Sequence, residues 1–225
     1  MSTIRRIAKR YVPCVAGLLL LLLTLGTTPA AADSIGPVCL PEETCQGSIY
    51  TLTYNPVPVG TDTYEFTYTI DTSGYNGGGS YLDDVALKIA NSIVSATLMS
   101  APGGTGNWLL TMGGLNNNGC SGSGSGFDCA DATSLGVFNA VPGPTYTWVF
   151  DINVGGSSLL TAENAATIKA RYVNGSGNKV GALVSENITL QPVPEPASLA
   201  LFGSGLVALA GMIRRRRNRK QISAS

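Results

Sequence analysis

Adjacent carboxylates are the residue types in this sequence that could carry out catalysis. Glu42-Glu43 and Asp83-Asp84 form two such pairs. A glycoside hydrolase needs two carboxyl groups that converge across a cleft, one as acid and the other as base or nucleophile. Because neighbours on a strand point to opposite faces of the sheet, adjacency alone does not supply that geometry. A carboxylate-dependent glycan hydrolase is therefore the least favoured function.

Other catalytic arrangements are missing from the sequence. The chain has no histidine, which excludes Ser-His-Asp and Cys-His nucleophile systems. It has no G-x-S-x-G elbow, and its glycine runs lack the lysine and the following helix that phosphate binding requires. We therefore expect that the protein is not an enzyme.

Calcium binding through hard oxygen ligands is the remaining chemical option. Asp83-Asp84, and Asp128 with Asp131, lie in or near predicted loops, and carboxylates suit this ion. None of them fits the D-x-[DN]-x-[DN]-G pattern, so solvated surface acids are the favoured interpretation. No metal or other cofactor is expected, and a calcium site is the alternative.

Charge is segregated along the chain, although 14 basic and 14 acidic residues balance overall. Residues 33–193 contain 13 acidic and only four basic residues, which gives a formal charge of −9. The four basic residues are Lys88, Lys169, Arg171 and Lys179. Phosphate backbones would be repelled by such a segment, so nucleic acid is not expected as a partner.

Four cysteines follow the N-terminal apolar segment, namely Cys39, Cys45, Cys120 and Cys129. An even number suggests two disulfides in an oxidising compartment. Of the three possible connectivities we favour the local pairs Cys39–Cys45 and Cys120–Cys129, each stabilising by about 2–3 kcal/mol through loop closure. A zinc site of four thiolates is disfavoured because the C-x₂-C pairs of such sites are missing.

Alternation of apolar and polar residues predicts strands throughout the segment between the two ends. It is clearest in residues 63–71 and 145–154. Weaker candidates are residues 50–54, 85–89, 94–99, 108–111, 168–173 and 184–190. Turns rich in glycine, proline and asparagine separate them. Only residues 159–166 are compatible with a short helix.

Short strands with little helix indicate an all-β fold, which we predict to be an antiparallel, jelly-roll-like β-sandwich. A closed barrel is the alternative. In residues 145–154, the side chains of Tyr146, Trp148 and Phe150 share one face. We interpret this face as core rather than as a platform for stacking sugars, because alternation is what burial alone requires.

The N-terminus has the three parts of a secretory signal. A basic head with Arg5 and Arg6 precedes an apolar run over residues 15–25, and small residues follow. Ala30 and Ala32 fit the small-residue rule for signal peptidase, so we place the cleavage before Asp33. The predicted signal helix is short for a stable membrane span, which makes an uncleaved anchor the weaker alternative.

The C-terminus combines an extended tripeptide, an apolar helix and a basic cluster. The two prolines keep the tripeptide Pro194-Glu195-Pro196 extended, so the apolar helix that follows does not begin within it. The uncharged residues 197–213 predict a transmembrane helix of about 25 Å, at about 1.5 Å per residue. The arginine cluster that ends it is Arg214, Arg215, Arg216 and Arg217. Guanidinium groups cross lipid at high cost, so both basic ends stay cytoplasmic and the acidic segment lies outside.

These three C-terminal parts, in this order, resemble the PEP-CTERM sorting signal. The resemblance covers residues 193–220. It implies recognition by exosortase, an integral-membrane protease that cleaves near the tripeptide, in bacteria that make exopolysaccharide. An ordinary tail anchor with an accidental tripeptide is the alternative.

The predicted organisation is a signal peptide over residues 1–32, an exported β-sandwich over 33–190, a sorting and anchor segment over 191–220 and a tail over 221–225. We predict a non-catalytic surface or matrix protein, anchored in the inner membrane with its domain in the periplasm and then moved to the cell surface. The alternative is a carbohydrate-binding or adhesion module, with or without calcium. Expected partners are signal peptidase, exosortase, the membrane and exopolysaccharide.

Overall fold

The structure is a computed structural model that describes residues 33–39, 45–134, 138, 143–161, 165–181 and 184–192. These residues form strands, turns and one short 3-10 helix, Thr105–Asn107. The strands are β1 (Ser34–Ile35), β2 (Ile49–Tyr54), β3 (Thr63–Asp71), β4 (Tyr81–Lys88), β5 (Ser95–Ser100), β6 (Trp108–Met112), β7 (Gly114–Asn116), β8 (Gly119–Gly122), β9 (Phe127–Ala132), β10 (Thr145–Asn153), β11 (Ala166–Val173), β12 (Val184–Ile188) and β13 (Gln191–Pro192).

The larger sheet has the strand order β1-β2-β3-β10-β5. Its strands are antiparallel, except that β13 joins β2 in parallel. β3 and β10 pair along their whole lengths, with Phe66 opposite Phe150 and Tyr68 opposite Trp148. All four of these side chains are fully buried, while the residues between them are more exposed. The alternation that predicted both strands is therefore the burial pattern found.

The second sheet is antiparallel, with the order β12-β11-β4-β9-β6. Between β6 and β9 in the chain, β7 and β8 form a separate two-stranded hairpin. Alternation did not predict β7, β8 or β9, because the Gly-Ser run over residues 121–126 has the composition of a linker.

The two sheets face each other across one hydrophobic core. Trp148 of the larger sheet packs edge-on against Trp108 of the second sheet, with ring centroids 5.2 Å apart. The hydroxyl groups of Tyr50 and Tyr172 hydrogen-bond across the same interface at 2.7 Å. Each large apolar side chain removed from water stabilises the fold by about 2–3 kcal/mol. This packing is consistent with the predicted β-sandwich, and it places Trp148 and Phe150 in the core as expected.

The predicted short helix over residues 159–166 is not found in the described part of that stretch. Leu159 forms an isolated bridge with Ala90, and Ala166 begins β11. Ala166 is fully buried and pairs with Ile188. Strand pairing and burial in the core outweigh the intrinsic preference of alanine for a helix, because tertiary contacts routinely override propensity.

The predicted signal helix and transmembrane helix lie outside the described residues. So do the cleavage residues Ala30 and Ala32, the tripeptide Pro194-Glu195-Pro196 and the cluster Arg214-Arg215-Arg216-Arg217. Where the structure describes the chain, no helix has the length and apolar character needed to cross a membrane.

Candidate functional site

The outer face of the second sheet is covered by the β7–β8 hairpin. Leu115 of the hairpin is buried in a small apolar cluster with Ala86 of β4 and Cys129 of β9. Phe127 packs against the same cluster. The hairpin therefore adds a second, smaller apolar layer outside the main core.

Disulfides close both cysteine pairs that the sequence favoured. Cys39 bonds to Cys45 with their Cα atoms 5.3 Å apart, and Cys120 bonds to Cys129 with their Cα atoms 5.5 Å apart. The prediction of two local disulfides is confirmed. Since Cys120 lies on β8 and Cys129 on β9, the second bridge ties the hairpin to the sheet beneath it.

Arg171 on β11 binds two neighbouring carboxylates on β4. Its Nε donates to Asp84 and its Nη2 donates to Asp83. Asp84 lies opposite Arg171 and Leu82 lies opposite Tyr172, which leaves Asp83 as the extra residue of a β-bulge. The bulge brings both carboxylates to one side of the sheet. The expectation that these neighbours point to opposite faces is therefore wrong.

A third carboxyl group joins this cluster, because Asp131 on β9 lies opposite Asp84. One carboxyl oxygen from each of Asp83, Asp84 and Asp131 lies within 4.8 Å of the others. Burial raises the pKa of Asp84 to about 8, although the Arg171 guanidinium opposes the rise. Burial also raises the pKa of Asp131. The single Arg171 guanidinium thus lies against a cluster of three carboxyl groups, in which burial disfavours the charged forms of Asp84 and Asp131.

The fourth acid considered for calcium, Asp128, does not reach this cluster. It lies on the same face of β9 as Ala130, which belongs to the main core. Neither of its carboxyl oxygens has a hydrogen-bond partner among the described residues. Burial raises the pKa of Asp128 to about 7.

The placement of these acids in loops is corrected by the structure. Asp83 and Asp84 belong to β4, and Asp128 and Asp131 belong to β9. Glu42-Glu43 lies outside the described residues. Both carboxylates of the adjacent pair Asp83-Asp84 are bound by Arg171.

A polar groove with a volume of about 600 Å³ opens beside Arg171. We call it the asparagine groove. Its lining residues are Asn117, Asn118, Arg171, Gly177, Asn178 and Lys179. One wall is the turn of the β7–β8 hairpin, and the other is the turn that follows β11.

Two hydrogen bonds hold the walls of the groove together. Lys179 Nζ donates to the side-chain oxygen of Asn117 at 3.1 Å. Arg171 Nη1 donates to the backbone oxygen of Asn117 at 3.2 Å. The sequence did not predict this groove, because its residues come from segments about 50 residues apart. The one available signal was that Arg171 and Lys179 are two of only four basic residues in an acidic segment.

The other two basic residues lie on the same outer face of the sheet. Lys169 Nζ is 4.7 Å from the centroid of the Phe127 ring, and Lys88 Nζ is 5.7 Å from it. Both contacts are cation–π interactions of the kind that hold an ammonium group over a partly exposed ring. All four basic residues of the acidic segment are thus gathered on one side of the protein.

Comparison with known families identifies the C-terminal signal. Residues 192–217 match the family model of the PEP-CTERM protein-sorting motif. The chain carries a PEP-CTERM sorting motif. The motif implies an exported protein that passes through the membrane, is processed by exosortase and is sorted to the cell surface. The matched range includes the tripeptide and the arginine cluster and lies beyond β12.

Comparisons over the rest of the chain give no further identification. No curated protein matches the sequence. Biomass-sensing modules of Rsgi-like proteins from Clostridium thermocellum, described as resembling a family 3 carbohydrate-binding module of the cellulosome, overlap with a TM-score of 0.35 and 12% identity. The overlap covers 55% of this chain and 90% of that chain.

A second solved structure is an inactive variant of the GH20 exo-beta-N-acetylglucosaminidase from Vibrio harveyi. It overlaps with a TM-score of 0.28 and 14% identity, over 64% of this chain and 17% of that chain. At such low TM-scores, neither similarity indicates a function for this chain.

Proposed function

We propose that the protein is a non-catalytic component of the bacterial surface or exopolysaccharide matrix, released from the inner membrane by exosortase at Pro194-Glu195-Pro196. The PEP-CTERM motif over residues 192–217 is the observation that carries this proposal. The absence of histidine from the whole sequence supports a role without nucleophilic catalysis.

The proposed topology places the β-rich domain in the periplasm before release. Signal peptidase cleaves between Ala32 and Asp33, and Arg214 to Arg217 hold the end of the tail in the cytoplasm. Two disulfides in the domain support an oxidising compartment. We also propose that the sandwich is jelly-roll-like, because the chain passes repeatedly from one sheet to the other. It alternates between the larger and the second sheet from β3 through β6, and it does so again from β9 through β11.

The sorting step is tested by replacing Glu195 in the full chain, expressed in a host that has exosortase. We expect Glu195→Ala to leave full-length protein in the inner membrane, because the protease loses the only charge in its tripeptide. Deletion of residues 214–217 is expected to block release as well. Glu65→Ala, on β3, is the matched control and should be released normally. The mass of the released protein, measured by mass spectrometry, locates the cleavage site. A released form with an intact tail would contradict the proposal.

The matrix role is tested by deleting the gene and measuring the cohesion of biofilm or floc. We expect weaker cohesion that is restored by the wild-type chain but not by the Glu195→Ala variant. A matrix of unchanged strength without the protein would contradict this role.

Carbohydrate binding is the second candidate function, and the asparagine groove favours it. Side-chain amides are well suited to hydroxyl groups, because each amide both donates and accepts hydrogen bonds. A calcium-dependent form would have to use Asp83, Asp84 and Asp131, whose oxygens lie close together, and would require Arg171 to withdraw from two of them. Glycan arrays with and without a chelator distinguish the two forms. A panel of polysaccharide substrates tests the third candidate, glycan hydrolysis.

A further inference from the structure

The asparagine groove is pre-shaped on both walls. In the turn after β11, the side-chain oxygen of Asn174 accepts hydrogen bonds from the backbone N–H groups of Ser176 and Asn178, at 2.9 and 3.1 Å. In the opposite turn, the side-chain oxygen of Asn116 accepts from the backbone N–H of Asn118 at 2.7 Å. Such local bonds fix turn geometry before a ligand arrives, which lowers the entropy lost on binding.

The floor of the groove is also fixed. Arg171 is 8% exposed and is bound by Asp83 and Asp84 from below. Gly119 covers this ion pair with a φ of +103°, and a Cβ atom there would lie 3.3 Å from both Arg171 Nη2 and Asp84 Oδ1. Only glycine suits both the backbone angle and the close approach. A buried charged group therefore supports the turn that carries Asn117.

The upper part of the groove presents hydrogen-bonding groups that are not used within the described chain. The side-chain amides of Asn118 and Asn178 are exposed, and neither has a partner among the described residues. Lys179 uses one of its three N–H donors on Asn117. None of the described residues that line the groove carries a carboxylate. This set of amides and an ammonium group suits a ligand that has both hydroxyl groups and negative charge.

Long-range charge favours the same ligand. The segment over residues 33–193 has a formal charge of −9, which repels anionic polymers from most of its surface. On the side that holds Lys88, Lys169, Arg171 and Lys179, the carboxyl groups of Asp83, Asp84 and Asp131 offset the charge of Arg171, and the three lysines supply the local positive charge. An acidic polymer would therefore approach on this side and orient toward the groove.

We propose that the asparagine groove binds a carboxylated polysaccharide, with Lys179 pairing with a uronate carboxylate and Asn118 and Asn178 bonding to neighbouring hydroxyl groups. The inference rests on the proposed function as a matrix protein and names the class of glycan. The lining that the structure describes has no aromatic side chain, so hydrogen bonds and charge carry the binding. Added salt weakens such binding strongly because partly exposed charges are screened.

The test uses the full chain extracted in mild detergent and immobilised polygalacturonate, with immobilised dextran as the neutral glycan. We expect binding to polygalacturonate alone. Lys179→Met is expected to weaken it about tenfold or more, the loss of one charge-assisted contact. Asn178→Ala should weaken it severalfold. Lys88→Met is the matched control, since it removes the same charge from the same side without touching the groove, and it should bind within about twofold of wild type.

Several results would overturn the inference. They are equal binding to dextran, no binding to either glycan, or the same loss in Lys88→Met as in Lys179→Met. Thermal unfolding of each variant checks that the fold is retained. Release by exosortase is measured separately on the same variants. A chain that is released normally but does not bind removes the groove proposal alone, and a chain that binds but is never released removes the sorting proposal alone.

Discussion

Asp128 is a carboxyl group in the interior of the sandwich without a hydrogen-bond partner among the described residues. Its fully buried position makes the charged form costly, and its pKa rises from 3.8 to about 7. The unfolded chain releases this proton near pH 4, whereas the folded chain keeps it until about pH 7. The contribution of Asp128 to stability is therefore greatest at low pH and falls as the pH rises between these values.

We expect Asp128→Asn to stabilise the full chain at pH 8 by about 1–3 kcal/mol, since a neutral amide is less costly to bury than a carboxylate. Near pH 4, the two proteins should differ little. Urea unfolding followed by tryptophan fluorescence from pH 4 to 8 measures the difference. Asp62→Asn, at an exposed turn residue, is the control and should not produce this pH trend. A constant difference between Asp128→Asn and wild type across that range would show that Asp128 does not carry a raised pKa.

Single residues were the hardest part of the site to predict from the sequence. The rule that strand neighbours point to opposite faces failed at Asp83-Asp84, because the extra residue of a bulge is invisible without its partner strand. Asp128 was grouped with Asp131 by proximity in the chain, although the strand directs the two side chains to opposite faces. The bulge at Asp83 depends on the register with β11, and the faces of Asp128 and Asp131 follow from β9, a strand that alternation did not predict.

The β7–β8 hairpin is the element on which the candidate site depends. It carries Asn117 and Asn118, and it is joined to β9 by the disulfide between Cys120 and Cys129. The hairpin is rich in glycine, and Leu115 is its one large apolar anchor in the outer cluster. Without the covalent link, few contacts would oppose its detachment from the sheet.

Replacing both Cys120 and Cys129 with alanine is expected to destabilise the full chain by about 2–3 kcal/mol, the entropy gained by a short open loop in the unfolded state. Amide protection over residues 114–122 should fall further than elsewhere, as measured by hydrogen exchange. The matched control replaces Cys39 and Cys45 with alanine. It should cost similar stability but leave the hairpin protected. Equal protection of the hairpin in both variants would contradict this role for the bridge.

Strands were predictable where alternation was strong. β3 was predicted with the bounds found, and β10 differs by one residue at its end. β4 begins four residues before its prediction, because Asp83 and Asp84 resemble a polar turn until Arg171 is placed against them. The composition of β7 and β8 indicated a linker, because neither strand alternates apolar and polar residues. Strand pairing, a disulfide and the outer cluster hold them in place instead.

At the scale of the whole molecule, the distribution of charge and the state of the cysteines both fit export from the cytoplasm. The acidic segment bears few cations, and its cysteines form two bridges. Export through the membrane followed by oxidation accounts for the two bridges, because the reducing conditions of the cytoplasm do not favour structural disulfides.

Thiol counting tests this route. We expect no free thiol in the exported protein after signal removal, because all four remaining cysteines are bridged. A variant that lacks residues 2–32 and stays in the cytosol should expose four thiols on denaturation. Mass spectrometry after alkylation measures both forms, and the disulfide-free Cys39, Cys45, Cys120 and Cys129 alanine variant is the control for non-specific labelling. Free thiols in the exported wild-type protein would contradict the proposed route.

Both ends of the described chain meet on one strand. β1 pairs with residues Tyr50 and Thr51 of β2, and β13 pairs with Thr53 and Tyr54 further along the same edge. A force applied at a C-terminal tether would thus act first on the two residue pairs between β13 and β2, whereas nine residue pairs join β3 to β10. Under mechanical load, β13 would separate from β2 before the two sheets came apart. A tethered copy of the protein would then extend at its point of attachment while the sandwich stayed folded.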